Sequence, residues 1–296
     1  FSPDPTLGLL KTQDNQVMVL NRYTTEYFYN DPQLTTAFAF RRVQAKAIDA
    51  GIVGTHLKTK VGGGVFCLGG SKDESPSMII LTPGRAENFS TREVDKIIAE
   101  YTEGELAGAG TMETRIENRN ELVYVRLARH TLLFNYTVAK KFGKDYAWSV
   151  LTSGVEGDPW VGVNGVYDVF GNAWIVGDRS EARLGSLSEG FAAQYSEPAE
   201  QIWYTPFTKI EKDSIDEMEI ETVPGFTFED VNVFASLTYD GQNYGKEWSV
   251  QYGGVAEWDR RFIARRLGYV SDWFALKLRT VTPYRIAFCR LVFKHG

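Results

Sequence analysis

Strand-like segments separated by turn signals recur about every fifty residues, and this spacing constrains the chain more than any other feature. "GTHLKTKV" leads through Gly62-Gly63-Gly64 into "VFCLGG" and then "SMIILTPG". "METRIENRNELVYVRL", "TLLFNYTV" and "YAWSVLTSG" follow. A third group is "GVNGVYDVF", a Gly171-Asn172 turn, "AWIVGD" and "ARLGSLS". Apolar second strands begin near Val65, Leu122 and Ala173, 57 and 51 residues apart. That is the period of a β-propeller blade, a sheet of four antiparallel strands. A ring of four to eight such blades needs roughly 200–400 residues. The repeating pattern ends near Ser196, which leaves room for four blades at most, three of them legible. The expectation is an incomplete ring. Phe1 in place of an initiator Met adds the expectation that further blades are encoded ahead of it.

One segment departs from the strand pattern. In "STREVDKIIAEYTEGEL", Ser90 or Thr91 can cap a helix, and Val94, Ile97, Ile98 and Tyr101 recur at helical spacing. This predicts one short helix near 91–101. From Pro198 the pattern lengthens into alternating strands, such as "IDEMEIETV", "VNVFASLTYD", "WFALKLRTV" and "RIAFCRLVF". Met218, Ile220 and Thr222 share one face, with Glu217, Glu219 and Glu221 on the other. One-sided antiparallel sheet of this kind predicts a β-sandwich or jelly roll. The expected fold is therefore all-β: propeller-like blades over 1–197, then an antiparallel sandwich over 198–296. A chain of 296 residues with 43% hydrophobic residues can fill both cores.

The chemistry-bearing residues are sparse. His56, His130 and His295 are scattered, and H-E-x-x-H, P-loop and G-x-S-x-G patterns are absent. Gly62-Gly63-Gly64 precedes a strand, so it lacks the helix N-terminus of an anion-binding loop. Cys67 and Cys289 lie in apolar segments without C-x-x-C spacing, which predicts two buried free thiols and a reducing compartment. Asp168, Asp178 and Glu181 could supply a glycosidase pair, but an acidic β protein offers many such pairs by chance. No catalytic residue, metal or cofactor is expected. No apolar run approaches the roughly 18 residues of a membrane span. A net charge of −6 argues against a surface that grips nucleic acid.

What remains points to turns and interfaces. "LTYDGQNYGKEW" resembles an Asp-box, with Asp240 and Gly241 in the turn and Trp248 closing it. His130, in the polar break Ala128-Arg129-His130, is expected to cap a hairpin by bonding a carbonyl or carboxylate. Tyr27, Phe28 and Tyr29 cluster in "EYFYN", and Arg261 and Arg265 stand in "RRFIARRLG". Large rings and rigid guanidinium donors suit subunit contacts, and these five are the candidates.

The segments "TTEYFYNDP", "KAIDAGIVGTH", "STREVDKIIAEYTEGEL", "LARHTLLFNYTV", "WSVLTSG" and "LTYDGQNYGKE" occur in this order. With "RRFIARRLGYVSDWFALKLRTVTP", they resemble the packaged-DNA stabilisation proteins of short-tailed bacteriophages, also called tail hub or tail accessory factors. The resemblance spans nearly the whole chain and implies the C-terminal part of a longer protein. It further implies a propeller-like body in a ring of six copies, beneath the portal and its adaptor protein. The tail needle would plug the far end, with the tailspike a further candidate neighbour. DNA would pass through the channel without tight binding, in a virion part assembled in the host cytoplasm, without catalysis. The reading from another class is a propeller glycosidase or glycan-binding tail component acting on the host surface.

Overall fold

The structure is a computed structural model and describes residues 4–33, 39–188, 190–210, 212–223, 227–254 and 256–295. The chain divides into two compact units, Phe1–Leu151 and Thr152–Gly296.

Three antiparallel sheets form in succession from the N-terminus. The first orders β1 (Thr6–Lys11), β2 (Val17–Asn21), β3 (Thr25–Asn30) and β4 (Phe40–Arg42) as consecutive neighbours. The second contains β5 (Gly51–Ile52), β6 (Lys58–Val61), β7 (Gly64–Gly70), β8 (Ser77–Thr82) and β9 (Arg85–Asn88). Its order is β5-β7-β8-β9, with β6 also paired to β7. Two helices follow, α1 (Arg92–Ala99) and α2 (Glu103–Ala109). The third sheet then takes β10 (Thr111–Glu117), β11 (Asn120–Arg126) and β12 (Thr131–Asn135). After α3 (Tyr136–Phe142) come β13 (Trp148–Ser153) and β14 (Asp158–Pro159), again as consecutive neighbours.

Strand β7 explains how the first unit packs. "GVFCLGG" is apolar at both parities, so both of its faces can be buried. Phe66 and Leu68 join a core with Val123, Val125, Leu132 and Phe134, against Val94 and Ile98 of α1. Val65 and Cys67 face the other way, into a core with Met18, Leu20, Tyr27, Ile52 and Leu81.

Local chemistry sets several boundaries differently from the periodic pattern. The expected single helix is two. α1 is capped by Thr91, whose hydroxyl accepts from the Val94 amide. Thr102 then starts a second helix with a full capping box to Glu105. "TLLFNYTV" is not a strand throughout: the Asn135 side chain accepts from the Val138 amide and opens α3. "METRIENRNELVYVRL" is a hairpin, because Asn118 and Arg119 both take left-handed φ (48° and 65°) in a two-residue turn.

After β14 comes a three-stranded sheet of β15 (Gly162–Asp168), β16 (Ala173–Asp178) and β17 (Leu184–Ser186). The last hundred residues build two further sheets. One orders β18 (Glu200–Tyr204), β24 (Trp273–Val281), β21 (Val231–Thr238) and β22 (Trp248–Gly253), with β19 (Thr208–Lys209) also on β24. The other is β23 (Phe262–Val270), β20 (Asp213–Thr222) and β25 (Phe288–His295). Met218 and Ile220 meet Val233, Leu237, Phe262, Phe274, Leu276 and Leu278 in one core. The architecture is all-β, propeller-type sheets followed by a sandwich.

Candidate interaction surfaces

Glu217, Glu219, Arg260, Arg261 and Arg265 are each committed to a local partner. On the outer face of β20, period-two alternation points Glu217 and Glu219 away from the core. Glu217 accepts from Lys294 at 2.7 Å and from Arg265 at 2.9 Å. These two cations hold its carboxyl down at about 2, Lys294 contributing more. Glu219 takes both Nε and Nη2 of Arg261. The register slips between Ile215 and Glu217, and Arg266 sits at φ +60° on the partner strand. This bulge sets Arg265 directly opposite Glu217. Arg260 pairs with Glu257 at 3.2 Å. Arg261 and Arg265 keep exposed side chains, whereas Tyr27 does not. Tyr27 is buried in the core beside Met18 and Leu20, so it has no surface to offer another subunit and leaves the candidate set. Phe28 and Tyr29 are half-buried on β3.

The turn at Asp240 is built on one carboxylate. Its Oδ1 accepts from the amides of Gln242 and Asn243, both at 2.8 Å, and Oδ2 accepts from Asn243 Nδ2 at 2.7 Å. These donors, the Asn243 amide first, hold the carboxyl well below the usual aspartate range. Gly241 supplies φ +76°. Trp248 does not close this turn. It begins β22 opposite Ala235 and packs against the sandwich core, while the Gly245 amide closes the loop on the Leu237 carbonyl at 2.8 Å.

His130 lies at the β11–β12 connection, and its backbone carbonyl accepts from the Leu127 amide at 2.8 Å. The imidazole was expected to bond a carbonyl or carboxylate; the partner it takes is instead a hydroxyl. Nδ1 shares a 2.7 Å hydrogen bond with the Tyr101 hydroxyl, whose oxygen also accepts from the Arg129 amide at 3.1 Å. Tyr101 is placed there by the α1–α2 junction, and Arg129 lies over its ring. Arg129 also donates to Glu105 at 2.9 Å. The Glu105 carboxyl is lowered to about 2, chiefly by the Thr102 amide and then by Arg129. The group is a brace joining a helix junction to a hairpin.

A buried ion cluster escaped the sequence reading. Glu113, Arg115 and Glu117 on β10 share a face with Tyr124 and Arg126 on β11. Arg115 is wholly buried and lies 4.2 Å over the Tyr124 ring. Glu113 bridges Arg115 and Arg126. Burial opposes its ionisation, but Arg126 and Arg115 outweigh this and lower its pKa. Glu117, 3.8 Å from Arg115, is instead raised by burial. The alternating "METRIE" pattern signals a strand but carries no sign that its polar face is covered.

Asp178 accepts from the Ser180 amide and from Arg183 Nε, both at 2.7 Å, and Asp168 caps the Phe170 amide at 3.0 Å. Both carboxylates are engaged in turns. No metal-holding group of three His, Cys, Asp or Glu exists among the described residues, and no described helix is long and apolar enough to cross a membrane. Cys67 is buried as expected, and its thiol is pushed up by burial. Cys289 is exposed, because it faces outward on β25, which corrects the expectation of two buried thiols. Two concavities stand out among the described residues of the first unit. A cleft of about 800 Å³ carries Asp49, Glu74, Asp95 and Glu103. A pocket of about 320 Å³ has Met18, Tyr27, Val65 and Leu81 among its lining.

Propeller-type sheets, a sandwich, and polar groups spent on braces and turns define a β-scaffold protein. A family model described as "Bacteriophage P22 Gp10, beta-propeller" matches residues 1–192, and one described as "Bacteriophage P22 Gp10, beta-sandwich" matches 200–296. The chain belongs to the bacteriophage P22 Gp10 family. It is similar to the tail hub protein gp10 of Salmonella phage P22, at 29% identity over 292 residues. That match covers 98% of this chain and 60% of the relative, so the chain spans about 60% of the relative's length. Among solved structures, an exo-β-1,3-galactanase of Phanerochaete chrysosporium with galactose matches at a TM-score of 0.28 and 6% identity. The match covers 98% of this chain and 69% of that one. A form of the same enzyme with β-1,3-galactotriose matches at 0.27, with the same identity and coverage. Likeness this slight bears on neither fold nor activity.

Proposed function

We propose that this chain is a structural part of a short-tailed phage tail, an oligomeric hub between the portal's adaptor ring and the tail needle. In that place it helps retain packaged DNA and forms part of the ejection channel. The supporting observation is that both family models match in order along one chain and together span nearly all of it. The relative's designation as a tail hub protein points the same way. The matched ranges also support a division of the chain at 197/198.

The hub is a ring, with six copies the stoichiometry proposed, and it acts without catalysis in the virion after assembly in the host cytoplasm. Phe28, Tyr29, Arg261 and Arg265 remain candidates for subunit contacts, and the tailspike a candidate neighbour. A net charge of −6 per copy favours a channel that repels duplex DNA and keeps it moving. Native mass spectrometry of the chain, alone and with its adaptor protein, tests the reading. A ring or a co-assembly is expected. A chain that stays monomeric in both conditions rejects it. Duplex DNA binding measured by fluorescence anisotropy is expected to be weak, and tight salt-sensitive binding would reject the smooth-channel part.

A further inference from the structure

The sequence holds a single Asn-Gly pair, Asn164-Gly165, and the fold places it in a bulge. Within β15, Val163 faces Gly177 and Val166 faces Ile175, so Asn164 and Gly165 together stand opposite the one residue Val176. Neither has a partner in the ladder register. Asn164 is exposed and takes φ +50°, the left-handed region that asparagine tolerates better than most residues. Among the described residues, no hydrogen bond holds its side-chain amide.

These features meet the demands of one reaction. An asparagine amide is lost when the backbone nitrogen of the next residue swings against the side-chain Cγ and closes a five-membered ring. A Cβ on that next residue crowds the approach, and glycine has none. A regular ladder holds the backbone against the rotation, whereas a bulge interrupts the ladder. Other asparagines in turns lack one condition or the other. Asn172 precedes Ala173, and its side chain is bonded by the Tyr167 hydroxyl. Asn243 precedes Tyr244, and its amide donates to Asp240 at 2.7 Å. Asp240 also precedes a glycine, Gly241, but the amides of Gln242 and Asn243 keep its carboxyl ionised, and a carboxylate resists attack by a nitrogen nucleophile.

We propose that Asn164 is a site of spontaneous deamidation in the folded protein. The Gly165 nitrogen gives its proton to solvent base and attacks Cγ of Asn164. The bond from Cγ to the side-chain nitrogen breaks, and that nitrogen takes up a proton and leaves as ammonia. Water then opens the resulting succinimide at either carbonyl, giving aspartate by one route and isoaspartate by the other. No oxidant, metal or enzyme enters the balance. The isoaspartate route adds one methylene to the main chain at a place that already accommodates an extra residue, so the pairs on either side, Val163 with Gly177 and Val166 with Ile175, should persist. The product carries a new carboxylate on an exposed strand. This inference does not depend on the hub reading. In a virion part, which is not renewed after assembly, the modified fraction would grow with the age of the particle.

The test incubates the intact folded chain in mildly alkaline buffer and follows its peptides by mass spectrometry and chromatography. The peptide holding Asn164 should exchange its amide for an acid and resolve into two products, aspartate and isoaspartate. Peptides holding Asn172 and Asn243 should keep their amides over the same period. Two variants accompany the parent. Gly165 is not among the residues with positive φ, so Gly165→Ala suits the backbone there and should lose most of the reaction. Asn164→Gln would need a six-membered ring and should lose it too. Both should keep the circular dichroism of the parent, because position 164 is exposed and 165 is half-buried. The proposal is wrong if Asn164 keeps its amide in the folded chain and loses it only in urea. It is equally wrong if aspartate forms without isoaspartate, or if Gly165→Ala reacts as fast as the parent.

Discussion

Glu113→Gln should be among the most damaging single changes available in the first unit. The carboxylate bridges two buried guanidinium groups, Arg115 and Arg126, whose side chains are almost wholly out of water. Removing its charge leaves two like charges buried together. Breaking a buried pair by deleting one partner costs about 3–5 kcal/mol, because the remaining charge stays desolvated. Glu117, 3.8 Å from Arg115, offsets part of this, which places the expectation near the low end, about 3 kcal/mol. For a unit of this size that is a fall in melting temperature of roughly 6–12 °C. Urea denaturation followed by tryptophan fluorescence measures it, since Trp148 packs against the Phe134 core. The charge-free pair Glu113→Leu with Arg126→Met should recover much of the loss, since a buried pair replaced by apolar groups is often neutral. A Glu113→Gln protein within 1 kcal/mol of the parent, about the net worth of one ordinary hydrogen bond, would refute the argument that this carboxylate neutralises the two arginines.

Three further outcomes are expected. Thr102→Ala removes the capping box of α2 and should cost about 1 kcal/mol, measurable by the same denaturation. Asp240→Ala takes away the acceptor for two amides, so hydrogen exchange at Gln242 and Asn243 should speed up while the sandwich core stays protected; unchanged exchange there would mean that other contacts hold the turn. Glu217 titrates at about 2, below its ordinary value of 4.5, so its contribution to stability is present above pH 4.5 and is lost as pH falls toward 2. Carboxyl NMR titration should show this low value in the parent and a rise toward normal in Lys294→Ala.

Features that depend on neighbours in sequence were legible without a structure. The Asp240 turn is one, because its donors lie two and three residues on. The Thr91 cap is another, and so is the separation of Met218 and Ile220 from Glu217 and Glu219 on β20, which follows from period two. The capping residues Thr102 and Asn135 were equally local signals, and they were hidden by apolar patterns that ran on past them. The full motif set also carried the family resemblance.

Tertiary structure alone decided which polar or aromatic residues are covered. Tyr27, Phe28 and Tyr29 read as one cluster, yet the core beside β3 takes in Tyr27 and leaves Phe28 and Tyr29 half-exposed. Phe170 reads like any apolar residue near a turn, and only the fold leaves it fully exposed. Glu113 and Arg115 look like the solvent face of a strand, and their burial depends on whatever packs over that face. His130 found its partner, Tyr101, 29 residues away across a helix junction. Burial and long-range pairing are properties of what surrounds a residue in space, and local sequence fixes only the direction in which its side chain leaves the backbone.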